Sequence, residues 1–383
     1  MRLLFFIGNL GVGGAERVTA TLGNALCARG HDVVLVTLDA AVPDAYQLDQ
    51  RIRRKVLDLA GRNTGLAKVT ALLRRVRALR AAARESGCDA IVAMMRQEAL
   101  MAIVATFGLN IRVVVSERSA FWMRPIPPFW FHAFRRLYRY SDAQVVQTEE
   151  IARRVAEVTG ARNLRVIPNA VHLPIRGTGR IVDPSSVIPD GAKMILAIGS
   201  KPKTKGFDMA LEAFRRLGPD QDDWHLCLLG MSPDHDWFDD IGIRAEWPDR
   251  LHAVPAVGNV EDWYQRADIF MLTSRTEGMP NALLEAMATG TACISFDCPT
   301  GPRDLIQDGE NGSLVPAEDV DALSLGLARL AQDSGMRGRF GTRALRVRET
   351  HDADRITDLW EQVIAGPAGK MTDATAENRE KTA

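Results

Sequence analysis

Short apolar runs recur along the chain, and each is followed by a stretch with helical spacing. LLFFIG (3–8) leads into a glycine-rich loop and then into AERVTATLGNALCARG. DVVLVTL (32–38) precedes a basic helical stretch that ends in LAKVTALLRRVRALRAAARES. DAIVAM (89–94), RVVVSE (112–117), AQVVQT (143–148) and LRVIPN (164–169) continue the series. Runs that are Val, Ile and Leu throughout, rather than alternating, predict strands buried on both faces of a parallel sheet. The helices between them predict a doubly wound α/β layer structure. A polar, Gly/Pro-rich stretch interrupts the pattern, which restarts at MILAIGS (194–200). HLCLLG (225–230), LHAVPAV (251–257), DIFMLTS (268–274), TACISF (291–296) and GSLVP (312–316) follow. The reading is a first α/β domain over 1–171, a linker over 172–192, a second domain over 193–366, and a disordered polar tail over 367–383. A length of 383 residues suits two cores rather than one.

Composition adds little until it is divided. Hydrophobic residues make up 46% and charged residues 25%, as in an ordinary globular protein. The net charge is zero, yet residues 1–172 carry 25 basic against 14 acidic residues, and the remainder carries 23 against 34. Opposite halves either attract each other across a cleft or meet different partners, the basic one facing something anionic. Cys27, Cys88, Cys227, Cys293 and Cys298 form no C-x-x-C pair, which argues against a disulfide framework or zinc site and for a reducing, cytoplasmic setting. MRLLFFIGNLG reads as a first buried strand rather than a signal peptide. No apolar run reaches 18 residues, so no membrane span is expected.

In open parallel sheets, ligands bind beyond the carboxyl ends of strands, where loops meet helix N-termini. Three such loops stand out. GNLGVGGAE (8–16) has glycines that let backbone approach a phosphate or sugar. It could also be a plain tight turn, or a dinucleotide loop with Asp39 on the next strand, although its spacing is not G-x-G-x-x-G. GSKPKTKGFD (199–208) brings Lys201, Lys203 and Lys205 to a helix start, which suits a diphosphate or, more plainly, a solvated lysine turn. SRTEGMPNALLEAMATG (274–290) places Glu277 in a loop and Glu285 about two turns into the following helix. Carboxylates accept paired hydrogen bonds from vicinal hydroxyls, so one can hold sugar hydroxyls and the other a ribose diol. The backbone from Gly278 through Met279 and Pro280 to Asn281 lies at the positive helix end.

Together these motifs resemble family four of the retaining glycosyltransferases, which have the GT-B fold of two Rossmann-like domains facing across a cleft. VIPNAV (166–171), AVGNVEDWYQRADIFMLTS (256–274) and FDCPTGPRDLIQDGENGSLVP (296–316) extend the resemblance over nearly the whole chain. The last of these and the Ser116-Glu117-Arg118 triplet look most like members that extend lipid-diphosphate-linked bacterial surface glycans. The resemblance implies donor-sugar contact for Glu277, ribose contact for Glu285, diphosphate contact for Lys205, and approach to donor phosphate and acceptor for Gly13 and Gly14. It departs at Ser200, where the family usually has Arg; Lys201 or Lys203 then supplies the charge. It departs again at Glu117 and Arg118, where many members have a sugar-contacting His, making these two acceptor or sugar candidates.

The implied function is transfer of a hexose or N-acetylhexosamine from a nucleoside diphosphate sugar, UDP-linked, to a lipid-linked acceptor. A sugar-nucleotide epimerase and a non-catalytic sugar-nucleotide binder are the rivals, and product analysis separates all three. No metal or other cofactor is expected: Asp234-His235-Asp236 fits D-x-D formally but reads as a solvated acidic loop. WMRPIPPFWFHAFRRLYRY (122–140) mixes aromatics with arginines. It reads equally as a core helix or as a contact with the inner face of the cytoplasmic membrane. No nucleic-acid module is present.

Overall fold

The computed structural model describes residues 1–61, 66–123, 127–177, 179–218, 221–243 and 249–366. The tail expected to be disordered lies outside them. The first sheet contains β1 (Arg2–Ile7), β2 (Asp32–Thr37), β3 (Arg53–Val56), β4 (Ala90–Met94), β5 (Arg112–Ser116), β6 (Ala143–Val146) and β7 (Leu164–Val166). Their order is β3-β2-β1-β4-β5-β6-β7, and every pairing is parallel. Phe5 in β1 lies opposite Leu35 and Val92 on its two neighbours, and all three are fully buried. The run LLFFI is apolar throughout because both faces of β1 are covered.

The second sheet contains β8 (Lys193–Ile198), β9 (Trp224–Leu229), β10 (Leu251–Val254), β11 (Ile269–Leu272), β12 (Ala292–Asp297) and β13 (Ser313–Pro316). Its order is β10-β9-β8-β11-β12-β13, again parallel. Two doubly wound α/β domains therefore face each other. Each sheet reverses its strand order once, between β1 and β4 in the first and between β8 and β11 in the second. Loops leaving such a pair of strands diverge to opposite faces and open a crevice between them.

Four helices of the first domain matter below: α1 (Gly14–Ala28), α2 (Leu66–Ser86), α3 (Arg96–Thr106) and α4 (Pro128–Leu137). The basic stretch 66–86 read as helical is α2. Strand β3 was not anticipated; its residues RRKV are charged and half-exposed because it closes the edge of the sheet.

Two segments pack differently from the expected division. Residues of the 172–192 stretch lie against the second domain, with Ile175 and Ile188 buried in its core and the Ile175 amide donating to Glu261 at 2.6 Å. The C-terminal helix, Ala353–Ala365, was assigned to the second domain, yet its buried Ile356, Trp360 and Ile364 belong to the core that holds β1 and β2. Its polar side continues the attachment: Arg29 on the first domain meets Asp358 at 2.5 Å and Glu361 at 3.0 Å. The chain thus crosses back to clamp the domain where it began.

Candidate active site

The two crevices open into one cleft of about 880 Å³ between the domains. On the second domain, β8 runs into the lysine loop and β11 runs into the turn before the helix Asn281–Ala288, hereafter the motif helix. Because β8 and β11 are adjacent, their loops meet. Lys205 Nζ lies 2.7 Å from Glu277 Oε1, and Ser274 Oγ donates to the same oxygen at 2.7 Å. The Thr273 hydroxyl holds the Lys205 carbonyl at 2.8 Å, and Thr300 holds the Glu277 carbonyl. Gly206 adopts φ +63° at the end of the lysine loop, and a Cβ there would lie 2.0 Å from the Thr273 carbonyl oxygen. Only glycine lets the two strand-end loops approach this closely.

Ser200, Lys201, Gly278, Met279 and Asn281 also line the cleft. Lys203 does not, and its carbonyl instead accepts from Arg275 at 2.7 Å. Pro280, grouped with the donor-binding backbone, has no N–H to offer and is buried behind the turn. The motif helix starts at Asn281, so Glu285 sits little more than one turn in, not two.

Glu285 is buried and both its oxygens are engaged. Arg17 on α1 reaches across the cleft to Oε1 at 2.5 Å, and the Tyr264 hydroxyl donates to Oε2 at 2.9 Å. Burial pushes the Glu285 carboxyl above its usual range, opposed by the Arg17 charge and the Tyr264 hydroxyl. Sequence reading gave Arg17 and Tyr264 no role. Their contacts join positions far apart in the chain and carry no local signature.

On the first domain, Gly13 and Gly14 open α1 at the cleft wall. Tyr46 fixes that loop, its hydroxyl donating to the Gly13 carbonyl at 3.0 Å. Opposite, Met95 takes φ +74° between β4 and α3, and the turn brings Arg96 and Glu98 to the cleft. Glu98 lies beside Gly8, with its Oε1 3.1 Å from where a Gly8 Cβ would stand. Burial raises its pKa to about 7, and the nearby Glu16 and Glu117 carboxylates push the same way. Glu98 was missed because it reads as an ordinary first-turn acid of an apolar helix.

The two members of the 117–118 pair part company. Glu117 is buried with Oε2 bonded to Arg96 Nε at 3.0 Å and Oε1 to the Ser119 hydroxyl at 2.8 Å. Arg96 itself lies over the Phe121 and Phe134 rings. Both Glu117 oxygens are therefore occupied by the wall of the cleft. Among the described residues Arg118 has no such acid partner; its guanidinium bonds the Asn169 side-chain oxygen.

Asn169, at the end of VIPN, ties the two domains together. Its Oδ1 also accepts from Gln147 at 3.0 Å, while its Nδ2 donates to the Met279 carbonyl at 3.1 Å and to Asn281 Oδ1 at 2.5 Å. Gly278 closes the contact: a Cβ there would lie 2.4 Å from both the Arg118 carbonyl oxygen and Gln147 Oε1. The two domains touch at the amino end of the motif helix, with the glycine loop of one facing the lysine loop of the other.

Among the described residues, no three His, Cys, Asp or Glu side chains gather into a metal-holding group. Asp234 and Asp236 are exposed and outside the cleft lining. All five cysteines are buried and unbridged. No described helix is long and apolar enough to cross a membrane.

Residues 12–173 match the family model described as Glycosyltransferase Family 4, and residues 180–347 match the one described as Glycosyl transferases group 1. The chain is 26% identical over 371 residues to a Campylobacter jejuni α-1,4-N-acetyl-D-galactosaminyltransferase whose name specifies a diNAcBac-PP-undecaprenol-linked acceptor; the match covers 95% of this chain and 98% of the relative. Among solved structures, sucrose-phosphate synthase from Thermosynechococcus elongatus matches with a TM-score of 0.81 at 20% identity, covering 95% of this chain and 99% of that one. Anabaena HepE in complex with UDP matches with a TM-score of 0.76 at 15% identity, covering 95% and 100%. At these identities the likeness in structure is one of fold.

Proposed function

Since the chain belongs to family four of the glycosyltransferases and has their GT-B fold, we propose that it moves a hexose or N-acetylhexosamine from a UDP-linked donor to a lipid-linked glycan acceptor, retaining the anomeric configuration. One observation carries this reading. The lysine loop, Glu277 and the amino end of the motif helix converge at the crevice of the second sheet, facing the glycine loop. Lysines and helix N–H groups suit a diphosphate. Lys205 and Ser274 both hold Oε1 of Glu277, which leaves Oε2 for a hydroxyl of the donor sugar.

In the transfer, the acceptor oxygen bonds to the anomeric carbon on the face that the diphosphate leaves. The departing phosphoryl oxygen takes the acceptor's proton, and Lys205 with the helix end steadies the developing charge. Glu277 positions the sugar. Glu285 meets the ribose diol where Arg17 now sits. These charges act without a metal ion, so activity survives excess EDTA; loss restored by Mn²⁺ or Mg²⁺ would refute that part. The UDP bound to HepE and the undecaprenol-linked substrate in the Campylobacter enzyme's name support the donor and acceptor classes. Exposed Phe129 and the arginines of α4 support an acceptor reached at a membrane surface.

The test is a panel of UDP-sugars incubated with the protein and a membrane lipid extract, with products analysed by mass and anomeric NMR. One donor should yield a glycolipid of retained configuration. An inverted product, or release of free sugar alone, overturns the proposal.

A further inference from the structure

Arg118 is a buried cation whose environment does not account for it. It is 8% exposed, at the end of β5 on the first-domain wall of the cleft. Its Nε and one terminal nitrogen have no hydrogen-bond partner among the described residues. Its other terminal nitrogen bonds a neutral amide oxygen, that of Asn169. The adjacent carboxylate does not serve it, because Glu117 spends both oxygens on Arg96 and Ser119. Burial lowers the Arg118 pKa to about 10, with the Glu117 charge opposing. An arginine held this way loses water without gaining an anion, an arrangement that is costly unless a ligand completes it.

The position says what that ligand is. The Arg118 carbonyl abuts Gly278, one residue beyond Glu277, and its guanidinium shares Asn169 with the first residue of the motif helix. The lysine loop offers Lys201 and Lys205 to the same cleft, but the Glu277 carboxylate offsets part of the Lys205 charge. An entering dianion therefore meets less free charge on the second domain than the three lysines imply. We propose that Arg118 is an anion ligand of the cleft, its two unbonded guanidinium nitrogens taking phosphoryl oxygens of a diphosphate. The two nitrogens lie on different edges of the guanidinium, since the terminal nitrogen that bonds Asn169 belongs to both paired edges, so each takes an oxygen separately. The proposal rests on the reading that a diphosphate substrate enters here. The diphosphate belongs either to the nucleotide donor or to a lipid acceptor. A donor bound this way is gripped from both domains, so its arrival favours the closed cleft.

The test measures binding to the full chain by calorimetry, with UDP, uridine, inorganic pyrophosphate and farnesyl diphosphate as probes. Arg118→Gln should weaken UDP and pyrophosphate about 10- to 100-fold while leaving uridine unchanged. Arg118→Lys should recover part of the loss, because it keeps the charge without the separate donors. If farnesyl diphosphate alone weakens, Arg118 serves the acceptor's diphosphate. If wild-type protein ignores UDP but binds the other diphosphates through Arg118, the inference stands and the nucleotide-donor reading falls. Equal losses for UDP and uridine would mean that Arg118 only shapes the cleft through Asn169. That result, or no change with any probe, overturns the proposal.

Discussion

Glu277 and Glu285 are eight residues apart in one motif, yet their surroundings assign them different consequences. Glu277 keeps an oxygen outside its contacts with Lys205 and Ser274, and a glutamine there preserves shape while removing charge. Glu277→Gln should lower turnover about 30- to 1000-fold with little change in nucleotide affinity, the signature of a contact used mainly in the transition state. Glu285→Gln should instead weaken free UDP and the donor together by roughly 1–3 kcal/mol, read by calorimetry beside steady-state rates. Losses of rate and affinity in equal measure at Glu277, with none at Glu285, would reverse the assignment. Glu98 gives a prediction in pH. Its carboxyl rises from an ordinary 4.5 to about 7 on folding, so the folded chain binds more protons across that window. Stability from this group is therefore lost as pH climbs from about 4.5 to about 7, and the loss levels off above. Glu98→Gln abolishes the titration. The variant should match wild type near pH 4.5 and exceed it by roughly 1–3 kcal/mol at pH 8 in urea unfolding. A difference that does not change with pH would contradict a carboxyl kept neutral by burial.

Elements were the most legible layer of the sequence, and the reason is burial. Strands such as LLFFI and IFML are covered on both faces, so every position is apolar and the run announces itself. RRKV at the sheet edge has no such constraint, and it was missed. The motif loops were legible because their chemistry is local: glycines, lysines and Glu277 sit within a few residues of a strand end. Arg17, Tyr264 and Asn169 were not, since each acts through a partner more than 20 positions away. Nor did periodicity reveal that the last helix clamps the first domain, because an amphipathic face does not name what it covers. That helix carries a prediction of its own. Trp360 is 1% exposed in the first-domain core, so Trp360→Ala should cost about 3–5 kcal/mol and open that domain, not the second, to proteolysis. Cleavage confined to the second domain would contradict the packing. A second element is the lysine loop, where Gly206→Ala must displace the Thr273 carbonyl or abandon φ +63°. Pyrophosphate binding should fall with it, although the substituted methyl touches no ligand.

At the scale of the whole molecule, the basic and acidic halves pair at two places, Arg17 with Glu285 across the cleft and Arg29 with Asp354, Asp358 and Glu361 on the last helix. These use two arginines of the basic half, and the Asn169 contacts to Met279 and Asn281 are neutral, so the arginines of α2 and α4 stay outside both pairings. Helices α2, α3 and α4 pack side by side. Their core side is secured by Phe134 and by the half-buried Trp130, so α4, the Pro128–Leu137 part of the aromatic stretch, is seated on the core. Exposed on these helices, or directly after α3 and α4, are nonetheless Leu73, Phe107 at 75% exposure and Phe129 at 62%, together with Arg74, Arg77, Arg135, Arg136 and Arg139. Apolar rings beside arginines match the boundary of an anionic bilayer, where rings enter the headgroup region and guanidinium groups meet phosphates. Each basic residue near such a surface contributes about 1 kcal/mol. Replacing Arg135, Arg136 and Arg139 with Gln should therefore reduce partition onto vesicles of phosphatidylglycerol and phosphatidylcholine by about 100-fold, and raising the salt should mimic the change. Phe107→Ser with Phe129→Ser should weaken binding further, with less sensitivity to salt. Turnover on a water-soluble, short-chain acceptor should stay near wild type in both variants, because none of these positions lines the cleft. Wild-type protein that fails to sediment with anionic vesicles, or binds neutral ones equally well, would remove the membrane from this face.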